Sequence, residues 1–327
     1  EGRTPQQRTI ALRADMDALP ITEANEVPYR STNEGVMHAC GHDVHTASLL
    51  GAARILQEMR DHFEGSIKLF FQPSEEKLPG GASVMIREGA LQNPAPSKIW
   101  GQHVHPPLEV GKIGMKTGPY MASADEVYLT IRGKGGHAAI PRNFIDPILI
   151  ASHIVVALQQ VVSRRAEPST PTVLSFGDIH ADGATNVIPE EVRIQGTFRT
   201  FDEEWRREAH DLIKQIATQT AQAMGGSCEA RVEVGYPFVY NDPELTQRTK
   251  SLAIDYLGEE NVVDLPLRMT GEDFAFFSQA MPGTFYRLGT GNPAKGITSP
   301  IHTPTFDIDP EALKVGVGVL TWLAMQG

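Results

Sequence analysis

Four short segments of the chain concentrate side chains that bind divalent metal ions. The densest, residues 37–45, holds one thiol, three imidazoles and one carboxylate within nine residues. Residues 72–76, 101–105 and 300–304 each carry histidines or a pair of glutamates beside Gly or Pro. Cys, His and Glu are the ligands preferred by borderline divalent ions such as zinc. The four segments together predict a metal-centred active site.

Cys40 and His42 are separated by a single glycine, which lets the backbone turn so that both side chains face one point. A Cys-x-His pair taken alone is equally compatible with a buried thiol and a surface imidazole. Asp43 is interpreted either as the N-cap of the following helix or as a hydrogen-bond partner of the ligands. We do not expect His38 or His45 to bind metal.

Glu75 and Glu76 follow an apolar strand and would repel each other unless a cation lies nearby. In a metal hydrolase, one such carboxylate binds the ion and the other takes a proton from water. A solvated glutamate pair is the simpler alternative, but the apolar strand and Pro73 favour a site. With His103 and His302, the set comprises one Cys, three His and one Glu, which would suit two closely spaced divalent ions.

Composition limits the classes of function. The 327 residues are enough for roughly two domains. Forty acidic and 29 basic residues give a net charge of −11, which argues against binding to nucleic acids and to anionic membranes. No apolar run approaches the roughly 18 residues of a membrane span. Two cysteines and the lack of a recognisable signal peptide favour a reducing, cytoplasmic location.

The first part of the chain alternates strands with helices. We predict strands over residues 9–14, 66–71 and 98–102, and helices over 46–60 and 81–91. This order is typical of an α/β domain with a mostly parallel sheet. Each candidate ligand then follows the C-terminal end of a strand, where open α/β sheets bind their ligands.

The pattern changes near residue 117 and changes back near residue 235. The intervening elements are predicted in the order βαββαβ, typical of a ferredoxin-like domain: 124–132, 147–164, 172–179, 192–200, 202–224 and 228–234. The α/β pattern then returns, with helices over 245–257, 273–279 and 310–325 and a strand over 284–289. We therefore predict a discontinuous catalytic domain, 1–116 and 235–327, with a smaller domain, 117–234, inserted in it.

Five motifs resemble those of the amidohydrolase branch of metallopeptidase family 20: Arg13–Pro20, Met37–His45, Gln72–Glu76, Gly133–Ala139 and Gly271–Phe274. That branch includes hippurate hydrolases, N-acyl-amino-acid amidohydrolases and plant auxin-conjugate hydrolases. The resemblance implies two divalent ions (zinc, manganese, cobalt or nickel) and Glu75 as the general base. It implies the following ligands, with Cys40 bridging the ions: Cys40, His42, Glu76, His103 and His302. Since Arg13 replaces the metal-binding histidine of the wider family, Asp15 is not assigned as a ligand.

The resemblance also gives the inserted domain a role as a lid and as the surface through which a homodimer forms. His137 resembles the histidine that a neighbouring subunit contributes to the oxyanion. Asn186 and Arg199, thirteen residues apart and expected on adjacent strands, resemble a pair that holds the carboxylate and carbonyl of the substrate. Gly271 is expected to let the backbone approach the substrate.

The predicted reaction is hydrolysis of the amide bond of an N-acyl amino acid to a carboxylate and a free amino acid. Family members have several tens of residues before the first strand predicted here, so the N-terminal helix and strand of the family are expected to be missing. His105 is an alternative ligand to His103. The alternative functions are a dipeptidase or carboxypeptidase of the same fold, a cysteine hydrolase that uses Cys40 as its nucleophile, and a non-catalytic protein that binds metal or acyl amino acids.

Overall fold

The computed structural model describes all of residues 1–327, which form two compact units. The first unit comprises Glu1–Tyr120, Val239–Arg268 and Glu272–Gly327. The second comprises Met121–Phe238 and Met269–Gly271. The roles assigned to the two predicted domains, catalysis and lid, stay predictions.

The strands and helices are numbered here in chain order. The strands are β1 (Thr9–Asp15), β2 (Ser66–Gln72), β3 (Ile99–Glu109), β4 (Ile113–Met115), β5 (Gly118–Met121), β6 (Ala124–Arg132), β7 (Gly136–His137), β8 (Val173–Ala181), β9 (Val187–Ile188), β10 (Glu191–Arg199), β11 (Ser227–Tyr236), β12 (Val239–Asn241), β13 (Val262–Asp264) and β14 (Gly283–Gly291). The helices are α1 (His42–Glu58), α2 (Gly81–Arg87), α3 (Pro147–Gln160), α4 (Glu203–Ala223), α5 (Pro243–Leu257), α6 (Ala275–Ala280) and α7 (Glu311–Gln326).

The first unit is built on a six-stranded sheet with the order β13-β4-β14-β3-β1-β2. Four of its five neighbouring pairs are parallel, and only β14 and β4 run antiparallel. All seven residues of β1 and all nine of β14 are buried, as expected for strands covered on both faces. The prediction of a mixed, mostly parallel sheet is confirmed.

The core of the first unit joins this sheet to α1, α5 and α7. Leu12 of β1, Leu49 of α1 and Leu320 of α7 are completely buried in it. Trp100 of β3 is also buried, and its indole N–H donates to Oγ1 of Thr249 at 2.8 Å. Burial of such side chains stabilises the unit through the hydrophobic effect and fixes the strand ends that carry the site.

Helix α1 begins four residues before its predicted start, and this places His42 in its first turn. Gly41 occupies the N-cap position with φ 75°, a left-handed conformation that favours glycine. A Cβ atom on Gly41 would also lie 2.6 Å from Cγ2 of Val104. Asp43 is an exposed residue of the first turn, so its interpretation as the N-cap is wrong. The tight turn at Gly41 brings Cys40 and His42 to the same side.

Strand β3 continues to Glu109, well beyond the end predicted at residue 102. His103 therefore lies inside the strand and does not follow it. The strand is longer because it pairs with β14, in a register that runs from Ile99 opposite Gly283 to Glu109 opposite Gly291. This pairing joins segments far apart in sequence, and no local pattern indicates it.

The second unit has a four-stranded antiparallel sheet with the order β11-β6-β10-β8. Helices α3 and α4 pack together on it, which completes the βαββαβ order of a ferredoxin-like fold. Asp202 is the N-cap of α4, as predicted: its Oδ1 accepts from the N–H groups of Glu204 and Trp205. The predicted ferredoxin-like fold is confirmed.

One helical stretch, Pro147–Arg165, is long and apolar enough to cross a membrane by length and composition. It consists of α3 and a π-helical turn, Val161–Arg165. Ile150, Ile154 and Leu158 are buried in the core of the second unit. The same length and composition are found in core helices of globular domains.

Candidate metal centre and active site

Two groups of three donor side chains share Cys40. In the first, the donor atoms of Cys40, His42 and His103 lie within 4.8 Å of one another. In the second, the donor atoms of Cys40, Glu76 and His302 also lie within 4.8 Å of one another. The Sγ of Cys40 is 3.4 Å from Nε2 of His103 and 3.3 Å from Nε2 of His302. The structure thus brings together all five residues predicted as ligands, with Cys40 at the centre.

His42 is held by Asp17 and offers its other ring nitrogen to the cluster. Its Nδ1 lies 3.2 Å from Oδ1 of Asp17, whereas its Nε2 is buried without a hydrogen-bond partner. Asp17 also accepts from the N–H groups of Glu75 and Glu76, at 3.0 and 2.9 Å. One carboxylate therefore orients the imidazole and fixes the turn that carries both glutamates.

His302 reaches the cluster from a loop under backbone strain. Its φ is +62°, in the left-handed region that a non-glycine residue rarely adopts. Its N–H donates to the carbonyl of Ala39 at 2.8 Å, which ties this loop to the one carrying Cys40. Its Nε2 lies 3.2 Å from Oε1 of Glu76. Strain at this position is typical of a functional constraint.

The electrostatics of the site favour added positive charge. Six carboxyl groups lie at the site, including the donor Glu76 itself and two that lie beside Glu75: Asp15, Asp17, Glu75, Glu76, Glu272 and Asp273. Burial alone would lower the pKa of His42, but Asp15 and Asp17 raise it to about 9. Burial and the nearby Glu76 raise the pKa of the Cys40 thiol. Groups that hold protons this tightly are ones whose conjugate bases gain most from a metal cation.

Glu75 is buried beside two further carboxyl groups. Its carboxylate oxygen lies within 4.8 Å of oxygens of Glu272 and Asp273, and of the donor atoms of His42 and Glu76. Burial, followed by the charges of Glu272 and Asp273, raises the pKa of Glu75 well above its usual range. A carboxyl group whose pKa is raised binds a proton more readily and is suited to act as a general base.

The other histidines of the motifs lie outside the two donor groups that share Cys40. His45 uses both ring nitrogens: Nδ1 bonds to Asp15, and Nε2 accepts from the N–H of Val104 at 2.9 Å. His38 and His105 belong to neither donor group. His105 is half-buried, and burial, with the charges of Arg287 and Arg268, lowers its pKa to about 4. The geometry favours His103 over His105 as a ligand.

The donor set also bears on the cysteine-hydrolase alternative. A nucleophilic cysteine needs a pKa lowered by nearby positive charge. Cys40 has the reverse, since burial and carboxylates raise its pKa. The thiolate, imidazole and carboxylate donors with the unpartnered Nε2 of His42 suit zinc-like divalent ions. The residues present therefore fit a metal centre.

The second unit carries His137 and Asn186 side by side. His137 lies on the exposed two-stranded ribbon of β7 and β9, opposite Val187. The N–H of Ala138 donates to the carbonyl of Asn186 at 3.1 Å. Both His137 and Asn186 are exposed, so their side chains are accessible at one end of this unit.

Arg199 lies elsewhere, at the last residue of β10. Asn186 precedes β9, which pairs with β7 and not with β10, so the prediction that Asn186 and Arg199 lie on adjacent strands is wrong. Strand β10 separates them: from Glu191 to Arg199, a rise of ~3.3 Å per residue gives roughly 26 Å. Pro189 and Glu190 separate the short ribbon from β10, and the chain bends at Glu190.

Gly271 packs against Arg199. A Cβ atom at Gly271 would lie 3.1 Å from Nη1 of Arg199 and 2.9 Å from Cβ of Ala124. Nε of Arg199 donates to Oγ1 of Thr197 at 2.9 Å. The absence of a side chain at residue 271 therefore leaves room for this guanidinium, a reason for glycine that the sequence does not reveal.

A set of buried residues next to the donor groups is not predicted from the sequence. Arg13, Gln72, Glu272 and Asp273 form a buried network with Asp15. The available signal is the composition of β1, where one arginine stands inside an otherwise apolar run. A charged residue in a strand buried on both faces must have polar partners.

Fold and site together define a metal-dependent hydrolase, and comparison with known proteins identifies the family. The model of peptidase family M20/M25/M40 matches residues 11–326. The chain is 41% identical over 323 residues to the IAA-amino acid hydrolase ILR1-like 4 of Arabidopsis thaliana, covering 97% of this chain and 72% of the relative. It is 41% identical over 304 residues to the N-acetyl-L-cysteine deacetylase of Bacillus subtilis, covering 93% and 71%.

The solved structure of the YXEP protein of Bacillus subtilis, described as a dinuclear metal-binding peptidase of the M20 family, superposes with a TM-score of 0.83. It is 35% identical, and the match covers 99% of this chain and 82% of that one. The chain belongs to peptidase family M20/M25/M40, as the motifs indicated. It is a metal-dependent amide hydrolase.

Proposed function

We propose that the protein hydrolyses the amide bond of N-acyl amino acids at a centre of two divalent metal ions. The observation that carries this proposal is the pair of donor groups that share Cys40, with Glu75 beside them. Relatives that act on an acylated cysteine and on auxin conjugates, according to their names, support the substrate class. Zinc, manganese, cobalt and nickel are the candidate ions.

The proposed ligands divide between two sites. His42 and His103 would hold one ion, Glu76 and His302 would hold the other, and Cys40, which belongs to both groups, would contribute to each. Ions bound there would polarise the amide carbonyl and acidify an attacking water. Glu75 would take a proton from the attacking water and deliver it to the leaving amine. Its burial beside Glu272 supports this role, because a raised pKa makes the carboxylate a stronger base toward the attacking water.

The second unit is proposed to bind the substrate. Arg199 has a planar guanidinium suited to a carboxylate, and Gly271 leaves it room. His137 is proposed to donate to the oxyanion, and Asn186 to the substrate carbonyl. Because Arg199 lies roughly 26 Å along β10 from the His137 end, one copy of this unit cannot present all three side chains to one acyl amino acid.

That separation supports a homodimer in which His137 and Asn186 serve the partner's site. The second unit also has an exposed apolar surface on α3 and on the edge strand β8. Val156 is 73% exposed, Ile179 58% and Leu149 51%. Burial of such side chains would stabilise a dimer. Two buried free cysteines, Cys40 and Cys228, support the further proposal of a reducing, cytoplasmic location.

A substrate panel tests the proposed function. The protein is incubated with N-acetyl, N-benzoyl and indole-acetyl amino acids, and the released amine is measured with manganese, with zinc and with a chelator. We expect release that depends on metal and requires the free carboxylate of the substrate, so that matched amino-acid amides react far more slowly.

The Glu75→Gln variant serves as the blank for contaminating hydrolases. Dipeptides with a free amino terminus form a second arm of the panel. Faster turnover of dipeptides than of acyl amino acids would replace the proposal with a dipeptidase. Saturable binding of an acyl amino acid by a metal-loaded dimer, with no amine released, would replace it with a binding function.

A further inference from the structure

Arg13 is a buried cation shared by several partners. It lies in β1 and is completely buried. Its Nε donates to Oε1 of Gln72 at 2.8 Å and its Nη1 to Oδ2 of Asp15 at 2.8 Å. Its Nη2 lies 2.7 Å from Oδ1 of Asp273 and 3.0 Å from Oε1 of Glu272. The planar fork of the guanidinium thus fixes four side chains in one arrangement.

Burial of this network costs more free energy of desolvation than burial of side chains that serve only to stabilise the fold. Three carboxylates share one cation, and each loses its hydration on burial. Ion pairs of this kind are often no more stabilising than apolar side chains of the same volume. The presence of this network is better explained by a need to place precisely the groups that it holds.

On one side, the network leads to the proposed ligand His103. Asp15 accepts from Nδ1 of His45 through its second oxygen, which leaves Nε2 of His45 as an acceptor. That Nε2 accepts from the N–H of Val104 at 2.9 Å. Arg13 therefore holds Asp15 and, through His45, the backbone directly after His103.

On the other side, the network leads to Glu75. Gln72, three residues before it, is held by Arg13 and donates from Nε2 to Oδ2 of Asp273 at 2.7 Å. The same Oδ2 accepts from the N–H of Ala82 at 3.0 Å. Asp273 and Glu272 in turn lie beside the carboxylate of Glu75. Arg13 therefore holds Gln72, three residues before Glu75, and the two carboxyl groups that lie beside the Glu75 carboxylate.

We propose that Arg13 is a positioning residue for hydrolysis: its guanidinium holds the Glu75 carboxylate and the His103 backbone in their reactive arrangement. This inference rests on the proposed function, because Glu75 and His103 have roles only in that reaction. Arg13 acts through shape as well as charge. A lysine at residue 13 would keep the charge but has no planar fork to hold Gln72, Asp15 and Asp273 together.

The test compares Arg13→Lys with Arg206→Lys, which alters a similarly buried arginine in the second unit, outside the proposed site. For folded, metal-loaded protein we expect Arg13→Lys to lower kcat by about 100-fold, since a misplacement of about 1 Å costs that much. KM should change less than threefold. Arg206→Lys should lower the melting temperature but leave kcat within threefold of wild type.

A second variant, Asp273→Asn, covers the case in which Arg13→Lys does not fold. It removes one charge from the network with little change in volume, and we expect a roughly tenfold lower kcat with unchanged KM. Wild-type kcat in folded Arg13→Lys or in Asp273→Asn, or an equal loss of kcat in Arg206→Lys, would overturn the inference. An inactive wild type would instead reject the proposed function.

Discussion

Each unit of the molecule contains a buried arginine cluster, and the two clusters differ in charge balance. In the second unit, Arg206 contacts both oxygens of Asp125, and its Nη1 donates to Glu203 at 2.8 Å. His210 donates to Asp125 at 2.7 Å, and the N–H of Gly235 donates to it at 3.0 Å. Every member has partners, and one arginine and one histidine contact two carboxyl groups.

The cluster in the first unit is unbalanced. Arg13 forms ion pairs with Asp15, Glu272 and Asp273, and Glu75 lies beside these carboxyl groups. Nε2 of His42, at the edge of this cluster, is buried without a hydrogen-bond partner. Burial, opposed by Arg13, leaves the pKa of Glu272 raised to about 7. Matched buried charges position a scaffold, whereas an excess of one sign marks a site built to receive the opposite charge.

The largest loss of activity is expected from removing one of the excess carboxyl groups. Glu75→Gln keeps the shape of the side chain. It removes a carboxyl group whose charged form is disfavoured by burial and by the neighbouring carboxyl groups. We expect kcat to fall by about 10²–10⁴-fold, with metal content and melting temperature equal to or above those of wild type. Amine-release kinetics and calorimetry on the same preparation measure both. A kcat within threefold of wild type would remove Glu75 from the mechanism.

A smaller effect on turnover, and a larger one on stability, is expected in the balanced cluster. Arg206→Met removes the bidentate partner of the buried Asp125 carboxylate and leaves it only His210 and the N–H of Gly235, so the free energy of unfolding should fall by about 3–5 kcal/mol. Urea unfolding measures this loss, and kcat of the folded fraction should stay within threefold of wild type.

Arg231→Met is the matched control for that prediction. Arg231 is exposed and lies 4.2 Å from the ring centroid of Tyr128. Its loss should change the free energy of unfolding by less than ~1 kcal/mol. Equal destabilisation by both substitutions would show that the Arg206 cluster has no special structural role.

The parts of the site that the sequence predicts are those encoded locally. Cys40 and His42 are joined by one turn, and Glu75 and Glu76 follow an apolar strand, so residue type and spacing suffice to propose them. The same is true of the ferredoxin-like order and of Asp202 as the N-cap of α4. Each of these depends on a few consecutive residues.

The parts of the fold and of the site that the sequence does not predict depend on contacts between distant segments of the chain. Arg13 and Asp273 are separated by 260 positions and meet only because β1 and the loop before α6 come together. The extension of β3 requires β14 as its partner. Asn186 and Arg199 are close in sequence, yet the intervening bend places them at opposite ends of β10. Side-chain spacing along the chain carries no information about such pairings.

The central claim is that the two donor groups sharing Cys40, beside the unbalanced cluster, bind two metal ions. Its most direct test is calorimetric titration of chelator-stripped protein with manganese or zinc, with amine release followed at each step and His42→Ala as the variant. We expect two ions per chain for wild type, activity that rises as the sites fill, and at least one site lost in the variant. Full activity of the metal-free protein, or the absence of saturable binding, would contradict the account.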